Sequence, residues 1–136
     1  MAMQAGGNGE RAGGAVSISP VLFVRDVARA AAHYQSVLGF EIDFMYGAPT
    51  CFAAVSRGGF RVYLREVKTP NFAELASRED ALIVAMIEVS DVRALFEELV
   101  AFGAEIVQPL TSYDWGGTDF HVRDPDGNVL SFVTID

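Results

Sequence analysis

The chain has 136 residues, 51% of them hydrophobic and 21% charged, which fits one globular domain and excludes disorder for most of its length. Ten basic residues against eighteen acidic ones give a net charge of −8, so the chain lacks the basic footprint of a nucleic-acid binder. No run approaches the ~18 apolar residues of a membrane span.

Residues 1–16 are rich in Gly and Ala and lack the apolar core of a signal peptide, so they are expected to form a flexible tail outside the fold. The first ordered segment runs from Ile18 to Val24 as a strand. Asp26 follows as a helix N-cap, because its carboxylate accepts an orphan N–H of the first turn. The helix continues through Ala30, His33, Tyr34 and Val37 to Leu38, with Gly39 as its C-cap. Short strands are expected at 41–46, 51–56 and 60–66, separated by Gly47, Pro49, Gly58 and Gly59. A linker over 68–80 carries Pro70 and a short helical turn around Phe72–Ala76. The pattern then restarts: a strand over Leu82–Val89, Asp91 as N-cap, a helix over 92–101 and Gly103 as C-cap. Strands at 105–109, 118–123 and 128–134 complete it, with the turn Asp124–Gly127 before the last.

The restart is an internal repeat. Val24-Arg25-Asp26-Val27 returns as Val89-Ser90-Asp91-Val92 at an offset of 65, and Leu38-Gly39-Phe40-Glu41-Ile42 as Phe102-Gly103-Ala104-Glu105-Ile106 at 64. Two tandem β-α-β-β-β modules, 17–67 and 81–136, are the economical reading: an α+β domain whose curved mixed sheet encloses a cleft. Strand alternation turns Ser19, Val21 and Phe23 toward that cleft, together with Arg61, Tyr63 and Arg65. From the second module it turns Val84, Met86 and Glu88, and Val129, Ser131 and Val133, the same way. This lining is apolar and aromatic with a few polar anchors, the composition of a ligand pocket.

The remaining reactive residues have plain readings. Cys51 permits no intramolecular disulfide, which is simplest in a reducing cytoplasm, and its apolar flanks make it a core residue. His33 on a helix and His121 in mid-strand read as surface or partly buried histidines. Glu97 and Glu98 lie on a solvated helix face, and Asp124 and Asp126 build a turn.

The opening Pro20-Val21-Leu22-Phe23-Val24-Arg25-Asp26-Val27, with His33-Tyr34 and Leu38-Gly39-Phe40, resembles the vicinal oxygen chelate superfamily of glyoxalases, dioxygenases and bleomycin resistance proteins. The closing run from Phe120 through Asp124-Pro125-Asp126-Gly127-Asn128 to Phe132 resembles its last hairpin. The likeness spans residues 17–136 and is nearest to the bleomycin resistance proteins, through the opening segment, Trp115-Gly116 ahead of the last turn, and the metal positions. Carried over by motif, the metal ligands of the superfamily's enzymes fall on Ser19, Tyr63, Val84 and Ser131, a set unsuited to a divalent ion.

The resemblance therefore implies a metal-free binding protein with no cofactor, leaning away from enzymatic activity. Its ligand would be a planar, cationic small molecule of the bleomycin type, held in clefts built between the chains of a homodimer. Trp115 would stack on the ligand, or else lid its own core. Phe44, Tyr46, Phe52 and Tyr63 would form walls, and Ser19, Ser131, Arg61 and Glu88 would hydrogen-bond. Asp114 and Asp119 would attract positive charge, in keeping with the acidic balance, which solubility alone also explains. The alternatives are a metal-dependent lyase or dioxygenase of the same superfamily, and a paralogue binding an unrelated ligand.

Overall fold

The structure is a computed structural model that describes residues 12–136, so most of the expected tail lies outside the described residues. Strand β1 (Val21–Val24) leads into helix α1 (Val27–Ser36), followed by β2 (Glu41–Tyr46), β3 (Phe52–Arg57) and β4 (Phe60–Glu66). A short helix, α2 (Phe72–Ala76), precedes β5 (Ala85–Glu88), α3 (Val92–Ala101), β6 (Glu105–Tyr113), β7 (Gly117–Arg123) and β8 (Val129–Ile135). The strands form two four-stranded mixed sheets with the same topology, β1-β4-β3-β2 and β5-β8-β7-β6. In each, the first strand pairs in parallel with the last and the other pairs are antiparallel. No helix among the described residues is long and apolar enough to cross a membrane.

Both long helices start the same way. Asp26 accepts from the Arg29 N–H (3.1 Å) and Asp91 from the Ala94 N–H (3.0 Å), caps worth about 1 kcal/mol each. Their exits differ by one residue. The Ala104 N–H closes back onto the Leu99 carbonyl with Gly103 in left-handed geometry. The caps themselves are Val37 and Phe102, not the expected Gly39 and Gly103, which follow them in left-handed geometry, and on α1 the Phe40 N–H reaches the Tyr34 carbonyl, one residue further back. That extra residue is where the repeat offset drops from 65 to 64.

Helix α1 packs on β2, β3 and β4, and α3 on β6, β7 and β8, and one continuous buried cluster joins Leu22, Tyr34 and Val62 to Leu99, Phe120 and Leu130. Side chains joining the modules sit at the β7–β8 turn and at the end of β3. Asp124 is buried and accepts from the Tyr34 hydroxyl at 2.9 Å, while Asn128 donates to the Phe23 carbonyl at 3.1 Å and to Asp124 at 2.9 Å. In the opposite direction, Arg57 donates to the Leu38 and Gly39 carbonyls and pairs with Glu98 on α3 at 2.8 Å.

Other elements depart from expectation for local reasons. Strand β5 covers only Ala85–Glu88, because its parallel partner supplies a ladder only from Leu130 to Val133. Strand β6 runs past Pro109 to Tyr113, since it is an edge strand with two register shifts and tolerates a residue without an N–H. Cys51 is exposed rather than in the core, because it lies in the β2–β3 connection, where its N–H donates to the Tyr46 carbonyl. Asp124 does more than build a turn, and Glu98 is engaged by Arg57 rather than simply solvated.

Burial raises the Asp124 carboxyl above its ordinary 3.8, although Asn128, Tyr34 and Asp126 all donate to it. The folded chain thus keeps this proton to higher pH than the unfolded chain. The corresponding stability is complete below the ordinary aspartate value and is lost as pH rises through the raised one. Urea unfolding of wild type and Asp124→Asn between about pH 3 and pH 7 should show the wild type losing stability relative to the variant across that window. A pH-independent difference would contradict this assignment.

Candidate functional site

The helices cover one face of each sheet and leave the other free, and alternation decides which side chains stand there. On the first sheet, Leu22, Val24, Val62 and Leu64 are buried toward α1, while Val21, Phe23, Arg61 and Arg65 are exposed on the opposite face. The register shift between Ile42 and Phe44 is a bulge that places Asp43 and Phe44 on this same free face. Phe44, Phe52 and Tyr63 meet there: Phe52 and Tyr63 stack at 5.4 Å, and Phe44 lies 6.2 and 6.4 Å from them. Beside them Arg61 pairs with Asp43 at 3.1 Å, which also accepts from Ser56, and the Arg61 guanidinium sits 5.9 Å from the Tyr63 ring. Tyr46 is well exposed at the strand's end.

Two hollows border this face. One of about 350 Å³ is lined by Ser19, Ser56, Arg61 and Tyr63. Another of about 420 Å³ lies between the modules and is lined by Arg61, Met86 and Glu88, with Ile18 and Pro20. Ser19, Arg61 and Tyr63 are thus brought together, and Arg61 shares a wall with Glu88.

The free face of the second sheet is different: it carries a buried polar hub. On β7, Phe120 and Val122 point toward α3, so Asp119 and His121 point away from it, 3% and 4% exposed. Asp119 Oδ2 lies 3.0 Å from His121 Nε2 and accepts from the Ser131 hydroxyl at 2.9 Å, and Oδ1 accepts from Gln108 Nε2 at 3.0 Å. Ser131 and Gln108 both donate to it, so the Asp119 side chain serves them as an acceptor. The same Gln108 nitrogen donates to the Tyr113 hydroxyl at 2.8 Å. Burial raises the Tyr113 phenol, the Gln108 bond opposes this, and nearby Asp119 adds to it. The Tyr113 ring stacks on Trp115 at 5.4 Å with the planes only 13° apart. Trp115 remains 59% exposed, so it stands as a platform and not as a lid over the core.

Of the expected site residues, Asp119 and Ser131 are therefore joined, but neither is open to solvent. Trp115 and Asp114 are exposed on the β6–β7 turn, and the Trp115 ring pairs with Tyr113, not with the Phe44–Phe52–Tyr63 group. His121 is not a surface or partly buried residue: it is only 4% exposed, between its β6 and β8 neighbours Gln108 and Ser131. His33 is half-buried, and burial lowers its pKa below 6.5. Sequence reasoning missed His121, Gln108, Tyr113 and Asp43. The alternation Asp119-Phe120-His121-Val122, read beside Ser131, carried the signal for His121; the bulges that place Gln108 and Asp43 leave none in the sequence.

The four positions matching the superfamily's metal ligands do not form a donor set. Ser131 gives its hydrogen to Asp119, Tyr63 is stacked on Phe52 with its hydroxyl accepting from Arg61, and Val84 has no donor atom. Among the described residues, no cluster of three or more His, Cys, Asp or Glu side chains is placed to hold a metal ion.

Residues 17–132 match the model of the Glyoxalase/Bleomycin resistance protein/Dioxygenase superfamily. The chain belongs to this superfamily. It is 31% identical to the bleomycin-binding protein of bleomycin-producing Streptomyces verticillus, solved with copper(II)-bleomycin, over 89% of this chain and 96% of that one, with a TM-score of 0.68. TioX from Micromonospora sp. ML1 is 29% identical over 89% of this chain and 97% of its own, with a TM-score of 0.67. UcmS2 is 26% identical over 85% and 94%, also with a TM-score of 0.67. No curated protein sequence matches the chain.

The platform depends on Gly117. A Cβ at that position would overlap the Trp115 ring, which supplies its three nearest atoms, and the glycine is not in left-handed geometry. Gly117→Ala should therefore leave the fold intact but displace Trp115 from Tyr113. The check is the near-ultraviolet circular dichroism and the emission maximum of this single tryptophan. Spectra identical to wild type would refute the stacked arrangement.

Proposed function

We propose that this protein reversibly binds a planar, cationic small molecule of the bleomycin type, without metal and without chemical change. The observation that carries the reading is the exposed Trp115, stacked on Tyr113 and anchored through Gln108 to the buried Asp119. An exposed indole held rigid loses little freedom when a flat ring lies on it. The 31% identical protein from Streptomyces verticillus was solved with copper(II)-bleomycin, which supports the same class of ligand here. The net charge of −8 favours a cationic partner, and the exposed Asp114 beside the platform supplies local charge.

The reading includes a homodimer. Val21, Phe23, Phe44, Tyr46 and Met86 are each more than 40% exposed in the single chain, an apolar surface that water contacts unfavourably. A second copy would cover the aromatic face of the first sheet and bring it opposite the platform of its partner. Phe44, Tyr46, Phe52 and Tyr63 would then wall the pocket. Ser19, Arg61 and Glu88 would offer hydrogen bonds at its mouth, and Ser131 would act through Asp119.

Titration with metal-free bleomycin should change the Trp115 emission saturably, and calorimetry on Trp115→Ala should show roughly tenfold or more weaker binding. A flat titration of wild type would remove bleomycin as the ligand class. Independently, light scattering at micromolar concentration should return twice the chain mass of 14.7 kDa, and a monomer mass would sink the shared cleft.

A further inference from the structure

We propose that His121 is the residue that reads a hydrogen-bond donor on the bound molecule, selecting planar ligands that carry an N–H group. The inference rests on the binding function proposed above and deepens it. It starts from the hydrogen-bond inventory around Asp119. An ionised carboxylate cannot donate, so the 3.0 Å contact with His121 Nε2 requires the hydrogen to be on Nε2. In the neutral ring, Nδ1 is then a bare lone pair.

Among the described residues that lone pair has no partner. The one side-chain hydrogen bond of His121 to them is the one to Asp119, although the residue is only 4% exposed. Nor is Nδ1 sealed inside the protein: among the described residues, the one fully enclosed side-chain polar atom without a partner is His33 Nε2. His121 Nδ1 is therefore narrowly open to solvent. Its direction follows from the sheet. Phe120 and Val122 face α3, so His121 faces the free side of β7, together with its strand neighbours Ser131 and Gln108. Asp119 ties this imidazole to the platform as well, through Gln108 and Tyr113 to Trp115.

Asp119 itself is not available to the ligand, because its oxygens already accept three donors. Gln108 spends its amide nitrogen on Asp119 and Tyr113, and Ser131 its hydrogen on Asp119. Among the described residues the hub thus leaves two acceptors without a side-chain partner, the Gln108 carbonyl oxygen on a half-buried residue and His121 Nδ1 on a residue 4% exposed, and the second is the one fixed in place and poorly hydrated. An acceptor left unmatched in such a place is costly, so a ligand with a complementary N–H is favoured over one without it. The indole recognises flatness, whereas the imidazole distinguishes among flat molecules by their donors.

The test uses the full chain labelled with ¹⁵N-histidine and long-range proton–nitrogen correlation spectra. The expected free state has His121 protonated at Nε2 with Nδ1 bare. Saturating metal-free bleomycin should move the Nδ1 resonance upfield as it accepts a hydrogen bond. His121→Phe, which keeps a ring but no nitrogen, should bind bleomycin roughly five- to tenfold more weakly while leaving the Trp115 spectrum of the free protein unchanged. Should that variant fail to fold, the wild-type spectra decide the matter alone. A hydrogen on Nδ1 in the free protein overturns the proposal, and so does an Nδ1 resonance unmoved by bound bleomycin. If wild type does not bind bleomycin at all, the proposed ligand class falls, and the tautomer then rules on His121: the Nε2–H form sustains it and the Nδ1–H form ends it.

Discussion

A buried carboxylate at the β7–β8 turn holds the two halves of this molecule in register. Asp124 accepts from the Tyr34 hydroxyl of α1, from the backbone of Asp126 and Asn128 and from the Asn128 side chain. Asn128 in turn grips the Phe23 carbonyl of β1, and Asp126 accepts from the Arg25 N–H. The turn of the second module is thereby fastened to the first strand and first helix of the other. Burying an ionisable group is expensive unless its neighbours satisfy it, and here four donors do so. The linker helix α2 rests on the same turn, closely enough that a Cβ at Gly127 would overlap Ala73.

The opposite tie has different chemistry but the same logic. Arg57, at the end of β3, reaches the carbonyls at the exit of α1 and the Glu98 carboxylate of α3. Glu98 lies one residue before Leu99, the position that the helix offset of 65 pairs with Tyr34. Each module thus extends a hairpin-side residue to the other module's helix: a carboxylate to a phenol in one direction, a guanidinium to a carboxylate in the other. Because these ties and the shared core consume the helix-covered sides of both sheets, the other sides are left free. The free aromatic face of the first sheet and the polar hub of the second are consequences of the same packing.

The repeat was legible because its punctuation is chemical. Asp26 and Asp91 cap helices through the same bond, and Gly103 takes a backbone geometry that disfavours other residues. Alternation also sorted the faces correctly on β1, β4 and β5, where one side is buried and the other exposed. It puts His121 on the same face as Asp119 but does not show how deeply it is enclosed, since its neighbours on the sheet, Ser131 and Gln108, come from strands 10 and 13 residues away in sequence. Cross-strand partners depend on register, and the edge strands β2 and β6 shift register at bulges that leave no mark on residue type. Cys51 was misplaced for a related reason: apolar flanks describe the strand that follows it, not the turn that holds it.

The division of labour in the second sheet follows from what Asp119 is already doing. A carboxylate saturated by His121, Ser131 and Gln108 adds little attraction for a cation at the surface, so long-range steering falls to exposed groups such as Asp114 and to the overall charge. What Asp119 supplies instead is order. It fixes the His121 tautomer on one side and, through one amide nitrogen of Gln108, the Tyr113 ring beneath Trp115 on the other. An apolar residue in its place would leave three donors unpaired and both recognition elements free to turn, which is costly in a buried setting. Each oxygen of Asp119 thus has its own task, Oδ1 toward Gln108 and the Tyr113–Trp115 pair, Oδ2 toward His121 and Ser131.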